Sequence, residues 1–181
     1  MSMSFPISLE PSHVIRLTRS AVAAAPHEAC GVLLGRRAAG ERVVTRLTVG
    51  RNLSEAHDQF FLDPAHQLEQ ELAAARRGEE ILGIWHSHVS APATVSHLDL
   101  RGAPEEWLRL IARVDDDVLT DLRAWDLVDG RPSEALVHLD LRASASPGGP
   151  HGAAHDPGAA RTCAAEARAI APFLPGLHLD A

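Results

Sequence analysis

From Ser12 to Leu141, stretches with helical periodicity alternate with short apolar runs of strand length. That alternation restricts the chain to an α/β class, with a mostly buried sheet between helices. Val14, Ile15, Leu17 and Val22 fall at helical spacing within Ser12–Ala25, and Pro26 ends the run. The segments ACGVLLG at 29–35, VVTRLTV at 43–49 and QFFL at 59–62 read as strands. Residues 64–77 read as a helix, with Pro64 in its first turn and Gly78 at its end. ILGIWHSH at 81–88 reads as a buried strand, followed by a loop over 89–95 that carries Pro92. Further strands are predicted at 108–114, 119–128 and 135–141.

After Leu141 the character changes. Residues 144–160, SASPGGPHGAAHDPGAA, have no apolar period and read as a flexible linker. Residues 161–170 suit a short helix before Pro172. The sequence thus divides into one domain over 1–143 and a Pro/Gly/Ala-rich linker with a short C-terminal segment over 144–181.

The formal net charge of -7 argues against sequence-independent binding to nucleic acid, which needs a basic face. No apolar run approaches the roughly 20 residues of a membrane span, and the N-terminus lacks the pattern of a signal peptide. Two cysteines, Cys30 and Cys163, make no disulfide framework, so a reducing cytoplasm is the expected location. All 17 basic residues are arginine, which leaves no lysine side chain for conjugation.

The chemistry concentrates at His86-Ser87-His88 and, seven residues on, Ser96-x-x-Asp99. Side chains at i and i+2 of a strand point to one side, so both imidazoles can reach one ion. Asp99 can add an oxygen ligand after the loop. Two histidines and one carboxylate leave a fourth tetrahedral position open, the pattern of a catalytic rather than a structural zinc site. The donor set suits zinc and also admits iron, cobalt or manganese. A His-x-His pair alone is weak evidence in a chain with 11 histidines. Ser96-x-x-Asp99 alone reads equally as the start of a helix, which would itself orient Asp99.

The array H-S-H-x7-S-x2-D, with the upstream Pro26-His27-Glu28-Ala29-Cys30-Gly31 leading into VLLGR, resembles the signature of the JAMM (MPN-plus) metallopeptidases, prokaryotic type. The strand ILGIWHSH and the later DLRAWDL at 121–127 add to the resemblance, which spans about residues 9–141. Val89 departs from the proline that many members carry after H-S-H. The resemblance implies an α-β-α sandwich with a mixed sheet, like that of cytidine deaminases. It implies one zinc ion per chain held by His86, His88 and Asp99, with Glu28 as general base and Ser96 stabilising the oxyanion. It also implies a zinc-dependent peptidase or isopeptidase. The expected cleavage follows the C-terminal Gly-Gly of a ubiquitin-like or sulfur-carrier protein, whose tail is the expected partner. The deaminase pattern, H-x-E with a later P-C-x-x-C, is absent.

Two other readings stand beside this one: a catalytically inactive MPN-type scaffold, and a zinc hydrolase acting on a small-molecule amide. A scaffold typically loses ligands, and this chain keeps them. Cys30 reads as a small buried residue rather than a nucleophile. Trp85, Trp107 and Trp125 read as packing residues, and the acidic run 115–117 as a turn. His57, His66, His97, His138, His151, His155 and His178 lack ligand spacing.

Overall fold

Pro11, with its preset φ, opens helix α1 (Pro11–Ala24), and the Glu10 amide donates to Nδ1 of His13 at 3.1 Å across the first turn. The computed structural model describes residues 4–101, 103–141 and the backbone of 177–180. The strands are β1 (Ile7–Leu9), β2 (Cys30–Ala38), β3 (Glu41–Leu47), β4 (Glu80–Val89), β5 (Leu108–Asp115), β6 (Val118–Val128), β7 (Arg131–Ala135), β8 (Val137–Asp140) and β9 (Leu177–Asp180). Helix α2 (Pro64–Ala75) precedes β4 and is capped by the Asp63 carboxylate, which accepts from the Ala65 amide.

Among the described residues the strands form one mixed sheet in the order β7-β6-β5-β4-β2-β3-β1-β8-β9. β4 and β5 run parallel, as do β1 with β3 and β8, and β8 with β9; the other neighbours are antiparallel. Only Leu136 separates β7, at one edge, from β8, near the other. A single residue spans less than 4 Å, so the sheet must curl until its two ends meet. Arg42 of β3 and Asp126 of β6 mark that closure with a buried bidentate ion pair, 2.6 and 3.2 Å.

Helix α1 lies against one face of the curled sheet. Its Val14, Leu17 and Ala21 pack with Leu33, Leu82, Trp85, Leu110 and Leu122 in the main core. A smaller core on the other face joins Ala74 of α2 to Cys30, Val32, Leu34, Ile81 and Ile84. Among the described residues one helix therefore covers each face, giving the expected α-β-α layering. The sheet register shifts at Leu33/Leu34, where β4 accommodates an extra residue. Beyond that shift, strict alternation puts His86 and His88 on the Ile84 face and Ser87 on the Trp85 face.

Both helices and the strands around 29–35, 43–49, 81–88, 108–114 and 119–128 form near their expected positions. Asp116 and Asp117 take φ of 47° and 62°, making the tight turn between β5 and β6. Three expectations need correction. QFFL at 59–62 is a loop: Leu62 makes one isolated bridge, to Asn52, and Phe61 points outward at 55% exposure. The run 135–141 is broken, because β7 ends at Ala135 and β8 starts at Val137 beside a different strand. No helix starts at Ser96, where residues 97–100 form a turn. β1, β9 and the part of β7 before Ala135 were not expected from the sequence. β1 lies between β3 and β8, β9 pairs with β8, and β7 pairs with β6. The linker at 144–160 and the helix suggested at 161–170 lie outside the described residues.

Candidate metal centre

β4 delivers two imidazoles to the site from its rigid interior. His86 is completely buried and His88 nearly so. Gly83 permits the parallel neighbour to approach, since a Cβ there would strike the Leu108 carbonyl. Gly31, in the upstream motif, leaves room for the Trp85 indole nitrogen to donate to the Thr48 carbonyl at 2.7 Å. That packing aligns β2 so that Cys30 stands opposite His86.

Nε2 of His86 lies 3.1 Å from Nε2 of His88. The Asp99 carboxylate faces both, with Oδ1 3.2 Å from His86 and Oδ2 3.5 Å from His88. Glu28 Oε1 lies 3.9 Å from His88 Nε2. Three of these residues, His86, His88 and Asp99, present one ligand atom each within 4.8 Å of one another. Two nitrogen donors and a carboxylate converging in a buried place fit a divalent cation such as zinc. Nδ1 of His88 lies 2.6 Å from the Pro92 carbonyl. A carbonyl only accepts, so Nδ1 carries the proton and Nε2 is left with its lone pair facing the other ligands.

Asp99 is fixed before any ion arrives. The Ser96 amide donates to its Oδ2 at 2.7 Å, and the Asp99 amide donates to Ser96 Oγ at 3.2 Å. This is the reciprocal bonding of a capping box, built on a turn instead of a helix. Ser96 keeps its hydroxyl proton for another acceptor. Burial alone would raise the Asp99 carboxyl pKa; hydrogen bonds to His86, His88 and the Ser96 amide overcome it and hold the group well below the usual carboxylate range. Burial pushes Glu28 up to about 8, with His88 opposing and Asp99 and Asp58 adding to the rise. Its Oε2 is buried without a hydrogen-bond partner. Burial, with Glu28 adding to it, pushes the Cys30 thiol up to about 12, which leaves it inert.

All five sequence-derived residues thus gather around one point: His86, His88 and Asp99 in contact, Glu28 beside His88, and Ser96 bonded to Asp99. Three further residues shape the site. Phe60 stacks on His86, with ring centroids 4.3 Å apart. Asn52 donates to the Glu28 carbonyl at 2.9 Å. Arg109 is wholly buried and donates to the carbonyls of Asp99, Ala103, Pro104 and Trp107 at 3.5, 3.1, 3.3 and 2.6 Å. Arg109 left a signal in the sequence, one of two arginines inside the otherwise apolar run LRLIARV; Asn52 and Phe60 left none that strand periodicity would reveal.

Comparison with known proteins agrees with this geometry. A family described as prokaryotic homologues of the JAB domain matches residues 10–128. A protein from Pyrococcus furiosus named desampylase is 32% identical over 108 residues, covering 58% of this chain and 74% of the relative. The solution structure of a protein from Desulfitobacterium hafniense superposes with a TM-score of 0.66 at 29% identity, covering 74% of this chain and 92% of that one. A second solution structure, from Salinibacter ruber, gives 0.54 at 28% identity, covering 69% and 84%. The chain, whose two histidines and aspartate converge where they could hold a metal ion, belongs to the prokaryotic homologues of the JAB domain and is a metallopeptidase of the JAMM type.

Proposed function

We propose that the enzyme is a zinc-dependent peptidase or isopeptidase that hydrolyses the amide bond after the C-terminal Gly-Gly of a ubiquitin-like or sulfur-carrier protein. The observation that carries this reading is the convergence of His86, His88 and Asp99, with the Glu28 carboxylate 3.9 Å from His88. When bound, one zinc ion per chain supplies a Lewis acid and acidifies water. Glu28 takes the proton of the attacking water and returns it to the leaving amine. Its unpartnered Oε2 and its burial both suit a group that exchanges a proton. The Ser96 hydroxyl donates to the developing oxyanion.

The desampylase relative supports a protein tail as the substrate. Gly-Gly has no side chains to exclude it from a narrow cleft. Scarce cysteines support a cytoplasmic location, and no helix among the described residues is long and apolar enough to cross a membrane.

Intact-mass spectrometry of candidate carriers extended past Gly-Gly tests the reading, with Glu28→Gln as control. The expected result is loss of the extension by the parent enzyme, about one zinc per chain in both proteins, and a drop on the order of 10² to 10⁴ in rate for the variant. Cleavage of lysine-linked ubiquitin conjugates alone would replace the carrier with a deubiquitinase substrate. Zinc-dependent turnover of small amides alone would replace the protein tail altogether. A zinc-loaded chain inert toward all three would leave a scaffold.

A further inference from the structure

Every polar valence of the Asn52 carboxamide is used. Nδ2 donates to the carbonyls of Glu28 and Gln59, at 2.9 and 3.2 Å. Oδ1 accepts from the amides of Ser54 and Phe61, both at 2.9 Å. An amide has two donor hydrogens and one two-lone-pair acceptor, so nothing is left over. The residue stands at the neck of the 52–62 loop, where the Leu53 amide also donates to the Phe61 carbonyl at 2.8 Å. One arm of Asn52 therefore grips the backbone of Glu28, and the other grips the segment that lays Phe60 on His86.

Glu28 has particular need of such a grip. It lies between α1 and β2, outside any helix or strand. Its neighbour Ala29 is tied to β4, donating to Ser87 Oγ at 2.8 Å and accepting from the Ser87 amide at 2.9 Å. The carbonyl of Glu28 itself is held by Asn52. The carboxylate has no compensating bond of its own, since Oε2 is buried without a partner and Oε1 comes no closer to His88 than 3.9 Å. A carboxylate without a hydrogen bond is aimed chiefly by its backbone and by packing.

We infer that Asn52 is a positioning residue: its carboxamide fixes the backbone of Glu28 and thereby sets where the carboxylate stands relative to the His86–His88–Asp99 centre. The inference rests on the reading of Glu28 as general base. Its effect belongs to the turnover step and not to the metal, because Asn52 touches no metal ligand. Displacing a reacting group by about 1 Å can cost on the order of 10²-fold in rate.

Asn52→Asp is the informative substitution. It is nearly isosteric and keeps an oxygen for the Ser54 and Phe61 amides, but it turns an acceptor toward the Glu28 and Gln59 carbonyls. The assay uses a carrier protein extended past its Gly-Gly, alongside zinc content and thermal melting of the full chain. We expect kcat to fall by about 10- to 100-fold while KM stays within about threefold and zinc per chain is unchanged. In a Glu28→Gln background the same substitution should cost less than about twofold more, because its route of action is already gone. A kcat within about twofold of the parent, or an equal loss in both backgrounds, overturns the inference. Asn52→Ser, which retains a short donor and acceptor, carries the same expectations if Asn52→Asp does not fold. Glu28→Gln with parental activity would overturn the base assignment and this inference together; an inactive Glu28→Gln beside a fully active Asn52→Asp would overturn this inference alone.

Discussion

Asp126 of β6 and Arg42 of β3 meet at 2.6 Å although three strands lie between theirs in the hydrogen-bonded order. Their side chains are only 10% and 5% exposed. The Ser4 hydroxyl and the Phe5 amide also donate to Asp126, and Arg42 donates to the Phe5 carbonyl, so the N-terminal segment is sewn into the same knot. Removing one partner of a buried pair leaves an uncompensated charge. Asp126→Ala should therefore destabilise the fold by about 3–5 kcal/mol, measured by urea denaturation. Asp126→Leu combined with Arg42→Met should cost less than Asp126→Ala alone. A larger cost for the double variant would show that the pair stabilises by more than mutual neutralisation.

Arg109 should act on metal affinity. Its four carbonyl acceptors lie on the chain between Asp99 and Trp107, so it braces the segment that presents Asp99 to the histidines. Arg109→Met should weaken zinc binding about 10- to 100-fold, the usual cost of losing support behind a ligand. Competition against a chromophoric chelator measures it, with circular dichroism to establish that the variant is folded. Undiminished affinity in a folded variant would reduce Arg109 to general packing.

His13 gives the fold a pH dependence remote from the metal. Burial pushes its pKa down to about 4, opposed by a hydrogen bond with the Thr45 backbone and assisted by Arg16. Nδ1 accepts from the Glu10 amide, an arrangement that needs the neutral ring. The unfolded chain binds this proton more readily, near pH 6.5. The stabilisation is therefore complete above 6.5 and is lost as pH falls through 4. Between pH 7.5 and 5.0 this group alone should remove about 2 kcal/mol. Urea melts at the two pH values should show a drop in the parent that is smaller by that amount in His13→Leu.

Ser96 has two duties that a single substitution separates. Its amide holds Asp99 and survives any side-chain change, while its hydroxyl is the proposed oxyanion donor. Ser96→Ala should lower kcat by about 10²- to 10³-fold and leave zinc content close to one per chain. Loss of zinc in parallel with activity would make the hydroxyl a support for Asp99 only.

The centre of the sheet and the metal-facing residues were legible because their signals are local. β4 announces itself by an apolar run ending in alternate histidines, and α1 by its 3.6-residue period. The failures concern relations between distant segments. QFFL has strand composition, yet it serves as a loop because Asn52 takes the hydrogen bonds that a neighbouring strand would supply. Residues 135–141 look continuous, but Leu136 is the point where the chain leaves one end of the curled sheet for the other. Ser96-x-x-Asp99 has the chemistry of a helix start, and its two bonds form; no helix follows, because Pro104 and the braces from Arg109 carry the chain toward β5. Nothing in periodicity reports a side chain such as Asn52 that bonds only to main-chain groups.

The parallel pairing of β4 with β5 has a consequence for how such a centre arises. Parallel neighbours cannot be joined by a tight turn; the chain must travel back the length of a strand, which takes a dozen residues or more. The stretch from Ser90 to Trp107 makes that journey, and Asp99 lies within it. The detour is obligatory whether or not a metal binds, so the third ligand occupies chain that the topology already requires. Asp99 thus depends on the course of this return path, while both histidines stay anchored in the sheet.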